Sequence, residues 1–238
     1  MGLCGSLLSQ SRGGWLGLLL ALPVLAYAAN TCIPRRRIAV AVAAVLVPLS
    51  IGAAMPGSPV RDRIDNAVHE VDAYETRGDA DTSLGQRLEH WKLAWRMGLQ
   101  KPAFGWTQRG YNEEKQRAAA AGEVAPIVLQ FNHAHNEYLD VFAKRGAAGV
   151  LVLLLLYLVP FAFFWPRNKD QDDRRGLRLA GLAIPVCYAG FGLTQAFIGH
   201  NSGTLFFVFM TTAFCACLWA PAPVASGRAA AARLRARV

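Results

Sequence analysis

The run Gly149-Val-Leu-Val-Leu-Leu-Leu-Leu-Tyr157 sits at the centre of an apolar stretch from Ala147 to Trp165. A helix that crosses a bilayer needs about 20 mostly apolar residues, and this stretch supplies them. Working outward, four more stretches have that character: Trp15 to Ala29, which is the shortest, Ile38 to Ala54, Leu179 to Ile198, and Thr204 to Ala220. Trp165 and Trp219 stand at span ends, where an amphipathic ring suits the headgroup layer. The pattern predicts an all-α, multi-pass transmembrane helical bundle of about five spans. A cleaved leader is disfavoured, because no small-residue cleavage site precedes a soluble domain and a second span follows at once.

Charge placement orients the bundle. Only 17% of the 238 residues are charged, below the roughly 25% of soluble domains. Residues 56–146 hold 12 basic and 13 acidic side chains, whereas the rest of the chain holds 13 basic and 3 acidic. The surplus lies in three blocks: Arg35, Arg36 and Arg37; Arg167, Lys169, Arg174, Arg175 and Arg178; and Arg228, Arg233, Arg235 and Arg237. A nucleic-acid-binding face would be a contiguous basic stripe on a folded domain, so no nucleic-acid partner is expected. If five spans alternate, all three blocks fall on one side, the cytoplasm. The expected organisation is two spans and a cytoplasmic turn in 1–55, a large helical periplasmic loop in 56–146, three spans in 147–221, and a basic cytoplasmic tail in 222–238. A chain that starts outside with five spans also leads us to expect further spans upstream.

The five cysteines all avoid the 56–146 loop, so it is expected to fold without disulfides in an oxidising compartment. Cys215 and Cys217 lie within an apolar run and read as packing residues.

A 90-residue connection is too long to be structureless in a compact protein. Ser83-Leu-Gly-Gln86 has the form of a capping box. Leu84, Leu88, Trp91, Trp95 and Leu99 then recur near helical spacing, and Pro102 and Gly105 end the pattern. The helix reads as an amphipathic cover, with Arg87 beside its apolar stripe. Arg109 to Glu123 reads as a solvated helix or mobile segment. The loop closes with Phe131-Asn-His-Ala-His-Asn-Glu-Tyr-Leu-Asp140-Val-Phe-Ala-Lys-Arg-Gly146, the densest polar cluster in the chain. A helix over Asn136–Lys144 running into the third span would put His135, Leu139 and Phe142 on one face. Three readings of the histidines stay open on spacing alone. They could cap a helix at an interface, serve as a general base near neutral pH, or bind a metal. The last is weakened because histidines two apart on a helix face different ways, and the zinc pattern of histidines four apart is missing.

The closing segment resembles the signature of the O-antigen ligase and polymerase superfamily of membrane glycosyltransferases. His135-Asn136 is followed by nine residues and then Gly146-Ala-Ala-Gly149. Val150 stands where the family often has Thr. Gln86-Arg87-Leu-Glu-His-Trp91 with Lys101-Pro-Ala-Phe-Gly105 resembles the family's Arg…Trp…Pro…Gly stretch, and Ser11-Arg12-Gly13-Gly14-Trp15 resembles its Ser-Arg-Gly. Gln195-Ala-Phe-Ile-Gly-His200-Asn201-Ser-Gly resembles a late turn of its ligases. Family members are about twice as long, and this chain resembles their C-terminal half.

The resemblance implies transfer of a glycan from an undecaprenyl-pyrophosphate carrier to a lipid A-core or similar acceptor, at the periplasmic face of a bacterial inner membrane. It implies neither a cofactor nor a metal. The alternatives are a glycan polymerase, a protein O-glycan ligase, or a non-catalytic truncated membrane fragment. His135 would be the base for the acceptor hydroxyl, and Arg87 and Arg12 would offset charge on the pyrophosphate. Asn136, His133, Trp91 and His200 would contact sugar or phosphate, and the expected partners are the lipid-linked donor, the glycan, lipid or protein acceptor, and membrane lipids.

Overall fold

In a computed structural model, residues 12–167, 170 and 172–220 are described, and these are helical throughout with no strand among them. Cys4, Lys169 and the basic tail lie outside the described residues, as does the side chain of Arg12. Helix α1 spans Arg12–Ala29 and α2 spans Arg35–Ala54. The loop contributes α3 (Pro59–Arg77), α4 (Ser83–Gln100), α5 (Thr107–Ala120) and a 3-10 turn (Pro126–Gln130). Then come α6 (Glu137–Phe164), α7 (Asp172–Phe191) and α8 (Asn201–Trp219).

Among the described residues, three helices, α2, α6 and α8, are long and apolar enough to cross a membrane. Within α1 the described apolar stretch is the shorter Gly17–Ala29. The predicted fourth span, Leu179 to Ile198, is displaced: its helix begins at Asp172 among charged residues and ends at Phe191, and residues 192–200 form a bonded turn. Helices α1 and α7 approach closely because small residues meet, and a methyl group on Gly190 would lie 2.8 Å from the Gly17 carbonyl oxygen. Ala21, Ala28, Phe164, Leu182 and Leu218 fill the core beside them, and Cys215 packs at its margin while Cys217 is exposed. Helix α2 buries none of its residues, and Val40, Val47 and Ile51 turn outward.

The loop has a core of its own, in which Leu93, Ala94, Met97, Tyr111, Val128 and Ala143 are buried together. Helix α3 is bounded by Ser58, whose Oγ accepts the Arg61 N–H, and by Gly78 at φ 66°. Helix α4 is capped one residue earlier than the Ser83…Gln86 pattern predicts. Thr82 Oγ1 accepts the Gly85 N–H at 3.0 Å, and Glu70 Oε2 accepts that of Leu84 at 2.8 Å. Its buried face is Gly85, His90, Leu93, Ala94, Met97 and Gly98, not the expected stripe. Trp95 and Leu99 are half exposed. The reason is steric: α6 crosses at Gly98, where Phe142 occupies the space of a side chain, so the small residues face the core and the large ones turn away.

Helix α6 breaks at Gly146, with φ 63° and ψ −162°. The break frees peptide N–H groups, and the Lys101–Gly105 turn takes them up: Ala147 N–H donates to Pro102 O at 2.7 Å and Ala148 N–H to Ala103 O at 3.1 Å. In return, Trp106 N–H donates to Ala143 O at 2.9 Å. The Pro-Ala-Phe-Gly turn and the Gly-Ala-Ala-Gly segment are thus two halves of one crossing.

Candidate functional site

The histidine segment lies ahead of α6, not on it. Asn136 is the N-cap; its Oδ1 accepts the N–H groups of Tyr138 at 3.0 Å and Leu139 at 3.1 Å. His135 sits just before it with φ 51°, a left-handed conformation uncommon for a residue with a side chain. The expected helical face joining His135 to Leu139 and Phe142 therefore does not form. The capping carboxamide also leaves Asn136 little capacity for sugar, since its Nδ2 donates to Leu193 O at 3.0 Å.

Residues 131–137 are held from several elements. Lys115 of α5 donates to Phe131 O, and Lys144 of α6 donates to Asn132 O at 2.7 Å. Asp140 accepts the Ala134 N–H at 2.9 Å and pairs with Lys144 at 2.8 Å, with both side chains buried. Glu137 is buried, donates its N–H to Gly192 O at 2.7 Å and accepts the Ile198 N–H on Oε2 at 2.8 Å. These bonds over-determine the segment, which is how a strained backbone persists. Tyr111 packs between the two lysines, 5.6 Å from Lys115 and 4.9 Å from Lys144.

Three imidazoles, His90, His133 and His135, pack around Phe131, and His200 joins them through His133. The His133 and His135 ring centroids are 4.4 Å apart, His90 lies 5.6 Å from His135, and His200 lies 5.2 Å from His133. The expectation that His133 and His135 diverge is thus overturned, because the bent, non-helical backbone ahead of the cap, with His135 left-handed, brings the two rings together where a helix would separate them. Among the described residues, no group of three or more His, Cys, Asp or Glu is placed to hold a metal ion. His90 Nδ1 and Nε2, His133 Nε2, His135 Nε2 and Trp91 Nε1 are buried without a hydrogen-bond partner among the described residues. Such atoms in a native fold call for an explanation, and a polar substrate or water provides one. His200 is exposed at the rim.

Burial favours the neutral forms of His90, His133 and His135. Burial, then neighbouring positive groups, lowers His90 to about 3, and burial and His135 lower His133 to about 4. His135 is lowered chiefly by burial, opposed by its bond to Gln195, with Arg87 and His200 lowering it further and Asp140 raising it. Arg87 is therefore close enough to act on His135, and the two residues singled out from separate motifs converge. Sequence reasoning missed His90, although it lies three residues from Arg87 on a helix, and missed the supporting Lys115 and Lys144. Gln195 was visible only as part of a motif.

Helices apolar enough to span a membrane, a helical loop between them, and buried imidazoles beside a guanidinium define a membrane protein with a buried polar cluster at a helix mouth. The O-antigen ligase family model matches residues 1–154, and the chain belongs to that family. It is 28% identical over 203 residues to an uncharacterized protein of Haemophilus influenzae, covering 85% of this chain and 51% of that protein. It is 25% identical over 146 residues to an O-antigen ligase of Escherichia coli K12, covering 60% of this chain and 32% of that protein. The chain therefore spans about half the length of the first relative and about a third of the second.

Proposed function

We propose that this chain carries the reacting centre of a glycan ligase, which transfers a glycan from undecaprenyl pyrophosphate to a lipid A-core or similar acceptor. In this reading the bundle has five spans and residues 56–146 are periplasmic. The observation that carries it is His135 Nε2, buried and unpartnered, with Arg87 near enough to depress its proton affinity. Membership of the O-antigen ligase family supports the reaction class.

The acceptor hydroxyl gives its proton to His135 Nε2 as its oxygen bonds to the anomeric carbon. The bond from that carbon to the pyrophosphate oxygen breaks, and the carrier leaves with the electron pair. Negative charge grows on the leaving group, and Arg87 offsets it, with Arg12 as its proposed companion. The surroundings suit an anion, since Arg87, Lys115 and Lys144 outnumber Asp140 and Glu137 near the imidazoles. His133, Trp91 and His200 offer polar atoms to sugar or phosphate, and Asn136 acts by shaping the segment. No step requires a metal.

The test is transfer from a lipid-pyrophosphate glycan in the full-length protein. His135→Ala should lower the rate by about 10²–10⁴, with protein abundance unchanged. Transfer at the normal rate, or its arrest by a chelator, would overturn the assignment. A product extended on the lipid carrier instead of joined to the acceptor would mark a polymerase.

A further inference from the structure

Gln195 lies in the turn after α7, 60 residues beyond His135. Its Oε1 is 3.2 Å from His135 Nδ1 and also accepts the Ala196 N–H at 3.3 Å. A peptide N–H can only donate, so the side-chain atom that meets Ala196 must be the oxygen. A reversed amide would set N–H against N–H. The same oxygen faces Nδ1, so Nδ1 must carry the ring proton. A neutral imidazole has a single N–H, and Nε2 is left with its lone pair, buried and unpartnered.

We propose that Gln195 is a positioning residue that fixes His135 as the Nδ1–H tautomer and so presents Nε2 as the proton-accepting atom. The turn that carries it is bolted to the start of α6. Gly192 O and the Ile198 N–H both bond Glu137, and Leu193 O takes the Asn136 amide. Gln195 is thereby held in register with the left-handed His135. This inference rests on His135 acting as the base. When Nε2 takes the acceptor's proton, Nδ1–H stays on Gln195, and the amide neither gives nor receives a proton. A carboxylate in its place would stabilise the imidazolium. The uncharged partner keeps the base neutral among Arg87 and His90 of α4, Lys115 of α5, neighbouring His133, Asp140 and Lys144 of α6, and His200.

The test uses the full-length protein in lipid nanodiscs with ¹⁵N-labelled histidine, and the His135 signals are identified by their loss in His135→Gln. Wild type should show a protonated Nδ1 and a bare Nε2. Gln195→Leu should lose that preference and lower kcat about tenfold, with KM little changed. Gln195→Glu should keep the tautomer, recover most of kcat, and move the acidic limb of the kcat profile up by about one pH unit, as an added carboxylate demands. A wild-type Nε2–H spectrum would overturn the proposal, and so would Gln195→Leu with tautomer and kcat unchanged. Should Gln195→Leu fail to accumulate, the wild-type spectrum and the Gln195→Glu profile still decide. Full transfer by His135→Gln would remove the base reading, while the spectrum would still report whether Gln195 sets the tautomer.

Discussion

Gly105 and Gly146 cross backbone to backbone: a methyl group on Gly105 would stand 2.7 Å from the peptide nitrogen of Gly146. Both have positive φ, 67° and 63°, and the ψ of −162° at Gly146 places it in a region essentially reserved for glycine. Gly146→Ala and Gly105→Ala should each destabilise the loop by roughly 2–4 kcal/mol, combining backbone strain with overpacking. Gly122 also has positive φ but open space around its missing side chain, so Gly122→Ala should cost only about 1–2 kcal/mol. Thermal unfolding and protease resistance of the three variants check the ranking. Equal losses at all three positions would remove the crossing as the cause.

Arg87→Lys should recover only part of the activity lost in Arg87→Ala. An ammonium keeps the charge but not the planar fork that binds two phosphate oxygens at once. Transfer rates for the two variants, measured over a range of donor concentrations, check this. Full recovery by lysine would mean that charge alone suffices.

His133→Ala should lower transfer about tenfold, less than His135→Ala but clearly measurable. The ground is the 4.4 Å separation of the two rings. An unchanged rate would confine the chemistry to His135 and leave His133 as packing.

Acid should weaken the loop before it unfolds the bundle. The ordinary histidine value is 6.5, and in the fold His90 falls to about 3 and His133 to about 4. Below pH 6.5 the unfolded loop binds protons that the folded loop refuses, so stability declines as pH falls from 6.5 toward those values. For His90, which is wholly buried, the slope is on the order of 1 kcal/mol per pH unit. Unfolding midpoints from pH 7 to 4 should show the decline, and His90→Leu should flatten it. A wild-type curve as flat as that of His90→Leu would contradict the burial of a neutral ring.

Single-cysteine variants in a cysteine-free background, labelled in intact spheroplasts with an impermeant thiol reagent, check the orientation. Position 113 should react, while 36 and 235 should not. The reverse pattern would place the imidazoles on the cytoplasmic side.

Helices α2, α6 and α8 were legible because length and composition alone define them. Helix α3 was missed, although Ser58-Pro59 and Gly78 bracket it as N-cap, first-turn proline and C-terminal glycine. Its dense charges masked those signals. The α4 stripe was misjudged for the opposite reason: periodicity found a face, but the face that packs is chosen by the glycine that lets Phe142 in. Separate motifs singled out Arg87 and His135, and the structure brings them close enough to interact. Their spacing could not show that His135 precedes its helix, since that depends on Asn136 serving as the cap and on bonds from Lys115, Lys144 and the distant turn. Contacts across so much chain leave no local pattern.

The same distance governs when the centre is completed during synthesis. His135 and its hydrogen-bond partner are 60 residues apart, with the rest of α6 and all of α7 between them. A growing polypeptide inserts its helices in order, so the imidazole cluster reaches the membrane surface before the residue that sets its protonation has left the ribosome. Protein halted between these points would carry every histidine of the cluster except His200 and still lack a defined base. Under the proposed function, competence would be acquired late, once the turn after α7 docks, and an arrested nascent chain should bind the anionic donor before it is able to use it.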